Sequence, residues 1–210
     1  MRRAAGLAVA AWLATPFAMS GQAADFRTRI DAATLGVVQP VLEAAARDSL
    51  PVAALQSKVL EGVAKSRPPE QIGRVVADLA GEFRAARAVL REGLPDRPIV
   101  DGEVVAVALA MRQGVAPEVV RALWAARPNG GSMEIPVTVL SELVRRGVPV
   151  EDASSVVAHV VRTSVPLNLA AQLPGRVDGG LGAGTSPSAA LGEAMRALNI
   201  PAPPGRRPNE

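Results

Sequence analysis

Three features of the sequence predict an all-α protein built as an irregular, helical-repeat-like array of short antiparallel helices. A small residue, then a variable and usually apolar one, then proline recurs as Ser49-Leu50-Pro51, Ser66-Arg67-Pro68, Gly93-Leu94-Pro95, Gly147-Val148-Pro149 and Ser164-Val165-Pro166. The segments between these triplets place apolar residues at the spacing of a helix with one buried stripe. Hydrophobic residues make up 49% of the chain and aromatic ones 2%, so the core is built from Ala, Val and Leu. Small side chains suit close helix packing better than a sheet rich in Tyr and Trp.

The triplet has a physical meaning. Glycine closes a helix because its backbone tolerates the left-handed conformation at the C-terminal cap. Proline cannot continue the old helix but fits the first turn of a new one, where its missing N–H costs nothing. Gly114-Val115-Ala116-Pro117 is a variant with proline one step later. Each triplet thus reads as a helix stop, a sharp turn and a helix start. The spacings between triplets are unequal, so the array is irregular. A longer likeness lies inside it. Residues 49–68 and 147–166 agree at seven of twenty positions, among them Pro51/Pro149, Ser57/Ser155, Val59/Val157 and Pro68/Pro166.

The first element is a leader. Arg2-Arg3 precedes an apolar run from Ala4 to Ala18, and the small residues Gly21 and Ala23 fit cleavage after Ala23. Residues 1–23 read as a signal peptide, and the run is short for a membrane span. Residues 24–173 read as the helical domain. The spacing predicts helices over 27–38, 40–48, 51–65, 69–91, 101–113, 117–127, 136–146, 150–162 and 166–173. In the third, Leu55, Val59, Leu60 and Val63 are expected to be buried. In the fourth the apolar stripe is Ile72, Val75, Val76, Leu79, Phe83, Ala86 and Leu90. The pattern around Ile135 to Leu140 alternates, but Pro136 argues against a strand there. Residues 174–210 are rich in Gly and Pro and read as a flexible linker and tail, with a short helix at 188–198.

Charge excludes one class of partner. The sequence pI is near 10.4, yet the formal net charge is only +3. Cleavage would remove Arg2 and Arg3 and leave 21 basic and 20 acidic residues, a near-neutral protein. No nucleic-acid partner is therefore expected. Only Lys58 and Lys65 are lysines; the other 21 basic residues are arginine. There is no Cys, which excludes disulfides and a lipid-modified N-terminal cysteine. With one His and no Cys, zinc lacks its usual ligands, and no cofactor or metal is expected.

The candidates for chemistry are few. His159 follows Ser155 by four residues and could face it on one helix turn, with Glu151 and Asp152 on the same broad face. A nucleophile–base pair also needs an orienting group and an oxyanion site. The equivalent of His159 in the first copy is Glu61, so an ordinary exposed position is expected. Asp78 and Glu82 are carboxylates four residues apart that could do acid–base work. With Glu70 and Arg74 they read better as a ladder of ion pairs on a helix surface. Gly179 to Ser186 superficially resembles a phosphate loop but lacks the Lys before Thr185 and a preceding strand. Glu61 and Lys65 form a favourably oriented pair that could border a binding groove. Trp124 is expected as a core anchor, with ligand stacking as its alternative role.

"VLEGVAKSRPPEQI", "MRQGVAPEVVRALWAARP" and "LVRRGVPVED" are similar to segments of a group of uncharacterised secreted bacterial helical proteins with recurring Gly-apolar-Pro joints. The resemblance covers residues 45–165. Ser66 stands where that group tends to have glycine. It implies secretion and an all-helical fold, and carries no activity or site residues. The sequence thus leads to an exported helical binding or scaffold protein of the bacterial periplasm or cell envelope. Its expected partner is a protein or peptide, without stable membrane insertion after cleavage. The alternative is an envelope hydrolase using Asp78 and Glu82.

Overall fold

A computed structural model describes residues 26–93, 97–127, 131–163 and 165–204. Among the described residues there are ten helices of four residues or more and no strand. They are α1 (Ala32–Arg47), α2 (Val52–Ala64), α3 (Pro69–Gly93), α4 (Asp101–Arg112), α5 (Pro117–Ala125), α6 (Glu134–Arg145), α7 (Val150–Arg162), α8 (Leu167–Ala170), α9 (Leu173–Gly182) and α10 (Pro187–Ala197). The signal-peptide reading of 1–23, the triplet at Gly93-Leu94-Pro95 and the end of the tail at 205–210 lie wholly or partly outside the described residues. So does Ser164.

The joints are built as the triplets predict. Gly147 has φ +83° and Gly114 has φ +89°. Ser49 and Ser66 adopt the same left-handed backbone, at +54° and +52°. Each of these four joints carries the same two hydrogen bonds. At Gly147, its own N–H donates to the Val144 carbonyl (2.9 Å) and the Val148 N–H donates to the Leu143 carbonyl (3.1 Å). Ser49, Ser66 and Gly114 repeat this pair with the carbonyls three and five residues back. These bonds satisfy carbonyls that the end of a helix would otherwise leave open. The next helix begins seven residues after the deepest of these carbonyls, at Val52, Pro69, Pro117 and Val150. The Gly114 variant is therefore the same joint. Its proline stands at the first helical position, whereas Pro51 and Pro149 stand at the N-cap.

Two further joints follow, at Gly184 (φ +84°) and Asn199 (φ +52°). Both repeat the hydrogen-bond pair, and each is followed by proline two or three residues on, at Pro187 and Pro201. The composition of 174–188 predicts a linker, and here the structure corrects it. Residues 173–182 form α9, with Leu173, Pro174 and Val177 buried. Glycine there is a contact device: Gly180 lies so close to α10 that a Cβ would come within 2.8 Å of the Ala190 Cβ.

The N-terminal helices are also redrawn. Where the pattern predicts helices over 27–38 and 40–48, one helix runs from Ala32 to Arg47 through Pro40. Asp31 starts it, accepting a 2.8 Å bond from the Thr34 N–H. Pro40 and Gly36, the pair whose backbone bond proline forbids, lie on the exposed side, where water can reach the open carbonyl. On the other side Val38, Leu42 and Ala45 are buried and hold the helix together. Pro136 falls in the first turn of α6, where a helix has no bond to lose, and 135–140 is helical.

α3 is the central beam, 25 residues and about 37 Å long. It packs against α1, α2, α4 and α5. Beyond it α4 packs on α6, α6 on α7 and α9, and α9 on α10. The core is almost entirely Ala, Val and Leu, with Ile72, Phe83, Trp124, Met133 and Met195 among its larger members. Among the described residues, no helix is long and apolar enough to cross a membrane.

Candidate functional site

α2 buries Leu55 and Val59 completely, while Leu60 and Val63 are half-buried. The adjoining face carries Ala54, Ser57, Lys58, Glu61 and Lys65, one stripe at helical spacing. Because α2 and α4 both pack on α3, this stripe overlooks a trough with α3 as its floor. The trough consists of two adjoining pockets, both lined by Lys58 and Glu61. One, of about 190 Å³, is bounded by Gly62, Lys65, Arg67, Gln71, Ile72 and Val75. The other, of about 280 Å³, has Leu79, Phe83, Val105 and Leu109 over its apolar part and Glu82 and Arg112 at its edge.

Glu61 is the hinge between the parts. Its carboxylate accepts from Lys58 Nζ at 2.8 Å and from Lys65 Nζ at 2.6 Å. The Lys58 and Lys65 hydrogen bonds, with the charges behind them, hold the Glu61 carboxyl at about 2. All three side chains remain substantially exposed, so the arrangement orders the rim and adds little stability. Glycine at 62 keeps the first part open. A Cβ there would meet the Ile72 Cγ1 at 2.8 Å.

The other sequence candidates fall elsewhere. Trp124 is buried in the core on α5, with its indole N–H unpaired, and does not border the trough. Glu82 faces Arg112 at 3.5 Å across to α4. No ion pair joins Glu70, Arg74 and Asp78 among the described residues, so the expected ladder is not formed. His159, expected on an exposed face, is buried at 7% exposure, and its Nε2 has no partner. Ser155 is exposed on the same helix and makes no hydrogen bond to it. The reason is geometric: α7 packs against α5, α6 and α8, so the buried sector extends past Val156, Val157, Val160 and Val161 to take in His159. Asp152 instead accepts from Ser188 Oγ at 2.6 Å, tying α7 to α10. The glycine-rich stretch 179–186 is the end of α9 and its joint, and makes no phosphate cradle.

Two features had no reading in the sequence. Glu103, in the first turn of α4, is fully buried. It accepts from the Met133 N–H at 2.9 Å and from Arg97, whose guanidinium also donates to the Gly131 carbonyl at 2.6 Å. This clamp fastens the approach to α4 onto the start of α6. At the far end Arg146 grips Asp178 on α9 through two bonds, of 2.8 and 2.9 Å, and also pairs with Glu142. The Arg146 bond pulls the Asp178 carboxyl below its ordinary value, and Arg145 and then Arg146 do the same to Glu142. Arg146, Glu142, Glu134 and Ile135 border a further open groove of about 420 Å³ between α6 and α9. Among the described residues, no group of three His, Asp or Glu side chains could hold a metal ion.

No protein-family model, no curated protein and no solved structure matches this chain.

Proposed function

We infer that this chain is an exported helical binding or scaffold protein of the bacterial periplasm or cell envelope, which holds a segment of a partner protein in the trough over α3. The observation that carries this reading is the trough itself. α2 runs along both parts and α4 walls the second, apolar side chains lie along it, and both lysines of the chain stand on its rim. Peptide-binding clefts combine these elements, an apolar floor for affinity and fixed polar groups for orientation. The leader pattern of Arg2-Arg3, the apolar run and Ala23 supports export, as does the resemblance to secreted helical proteins. The recurring joints support a scaffold made by adding one helix at a time, each unit burying its stripe against its neighbours. A hydrolase would need a reacting pair. The one carboxylate on the trough that faces another helix, Glu82, is turned to Arg112.

A photo-crosslinking residue at Val75, compared in the native host with one at exposed Arg176, tests both parts of the reading. One discrete crosslinked protein at Val75 alone, recovered from the envelope fraction with chain beginning at Ala24, is the expected result. The same products at both positions, or Met1 retained on exported material, would count against it.

A further inference from the structure

The trough carries a charge imbalance in a chain that is otherwise nearly neutral. Lys58, Lys65, Arg67 and Arg112 border it, against Glu61 and Glu82. The imbalance lies at the α2–α3 end, where Lys58, Lys65 and Arg67 stand against Glu61 alone, while at the other end Arg112 is paired with Glu82 at 3.5 Å. Lys65 and Arg67 stand at the α2–α3 joint, and Arg112 stands at the last residue of α4. Between them the floor is apolar, with Val75 40% exposed and Leu79 half-buried. Glu61 consumes one donor of each lysine. An ammonium has three, so both keep protons for a second acceptor while Glu61 holds them in position.

Length limits the occupant. The floor runs along α3 from Gln71 to Phe83, about 18 Å at the rise of a helix. An extended chain covers that in about five residues. Among the described aromatic residues only Phe83 lines the trough, and it is 2% exposed, so these residues offer no stacking platform for nucleic-acid bases.

The geometry points to a short acidic peptide, extended over α3, as the ligand. Its apolar side chains rest on Val75 and Leu79. One carboxylate meets Lys58, Lys65 and Arg67, and another meets Arg112 in place of Glu82. This assignment rests on the peptide-binding reading above and adds the chemical class of the peptide.

A displayed library of random heptapeptides, panned against the folded chain at about 50 mM salt, tests it directly. The expected survivors carry two or more Asp or Glu interleaved with apolar residues. A fluorescein-labelled survivor should bind about tenfold more weakly to the Lys58→Gln/Lys65→Gln double variant, the sum of two partly exposed charge contacts. It should also weaken as salt rises to about 300 mM, while thermal melts of the variant stay near wild type. Survivors that are neutral or basic, yet lost on Val75→Asp, would overturn the acidic assignment and leave peptide binding in the trough standing. No enrichment, or enrichment that a folded Val75→Asp variant retains, would overturn both.

Discussion

Gly147 offers the sharpest test of how the helices are joined. Its φ is +83°, and it donates to the Val144 carbonyl while Val148 donates to the Leu143 carbonyl. A Cβ at this position would stand 3.6 Å from Pro187 Cγ, an ordinary contact, so space is not at issue. The cost of a side chain is the left-handed backbone itself, about 1–2 kcal/mol for an L residue and more for a β-branched one. Against this, removing glycine stiffens the unfolded chain by about 0.4–1 kcal/mol. Gly147→Val should thus lose about 1–2 kcal/mol net, a fall in Tm of about 2–8 °C for a chain of this size. Ser49 has the same conformation with a side chain already present, at φ +54°. Ser49→Gly reverses the account and should be neutral or gain up to about 1 kcal/mol. Pro149→Ala removes only the restriction of the unfolded chain, and should lower Tm less than Gly147→Val. Gly147→Asn should fall between wild type and Val, because Asn tolerates this region. Thermal melts by circular dichroism at 222 nm measure all four. A Gly147→Val protein that melts within a degree of wild type would show the reasoning to be wrong at this joint.

Other expected outcomes concern single groups. Glu103→Ala leaves the Arg97 guanidinium and the Met133 N–H without their buried acceptor, and should cost roughly 3–5 kcal/mol in denaturant titration; a loss under about 1 kcal/mol would mean the clamp carries no load. Glu61 should titrate at about 2 by carboxyl NMR and move up toward 4.5 when Lys58 and Lys65 are both changed to alanine. Its folded pKa is depressed, so whatever stability it adds is present above about 4.5 and is lost as pH falls through about 2. A Glu61 titration unmoved by the double change would refute the lysine contacts.

The joints were legible because their cause is local. Only glycine and a few polar residues rest in the left-handed region, and only proline marks a start without an N–H, so a few adjacent letters specify a turn. The same rule fails where the letters are ambiguous. Gly184-Thr185-Ser186-Pro187 contains a joint, but its neighbours Gly175, Gly179, Gly180 and Gly182 make the stretch look like a linker. The role of Gly180 emerges only when α10 is seen pressed against α9. His159 shows the limit of reading one helix at a time, since burial there is set by the helices packed against it. The trough was half legible. Glu61 and Lys65 are paired by sequence spacing, and the two lone lysines of an arginine-rich chain were a signal in plain view. That α4 would bring Val105, Leu109 and Arg112 opposite them depends on packing across α3, and Glu103 depends on residues thirty positions away. Residues 49–68 and 147–166 do share a form. In each, a joint with left-handed backbone leads into a thirteen-residue helix with proline at its N-cap.

The six joints with left-handed backbone among the described residues nevertheless divide into two kinds by what fills the inner corner. At four of them the residue after the turn is apolar and buried, as Leu50, Val115, Val148 and Ile200. The residue five positions back is then also apolar and buried: Ala45, Ala110, Leu143 and Met195. This is the contact that normally accompanies such a helix end. At the other two the residue after the turn is Arg67 or Thr185, and five positions back stands Gly62 or Gly180. Here the next helix takes the corner. The residue ten positions beyond the glycine, Ile72 or Ala190, comes so near that an added Cβ would be 2.8 Å away in both cases. The two differ in what can yield. Ile72 presents side-chain carbons alone, whereas Ala190 presents its Cβ and, at 3.3 Å, its backbone Cα. Gly180→Ala must therefore push α10 off α9 and should cost about 1–3 kcal/mol, the usual range for overpacking. Gly62→Ala should cost less than Gly180→Ala, because no backbone atom of the next helix stands against the new methyl group and alanine favours the helix. The displaced Ile72 side chain would narrow the first part of the trough, so ligand binding should fall more than stability does. Melting and peptide-binding measurements on the two variants separate these effects. Equal losses of stability at both positions would mean that the corner is governed by the turn alone and not by the helix that follows it.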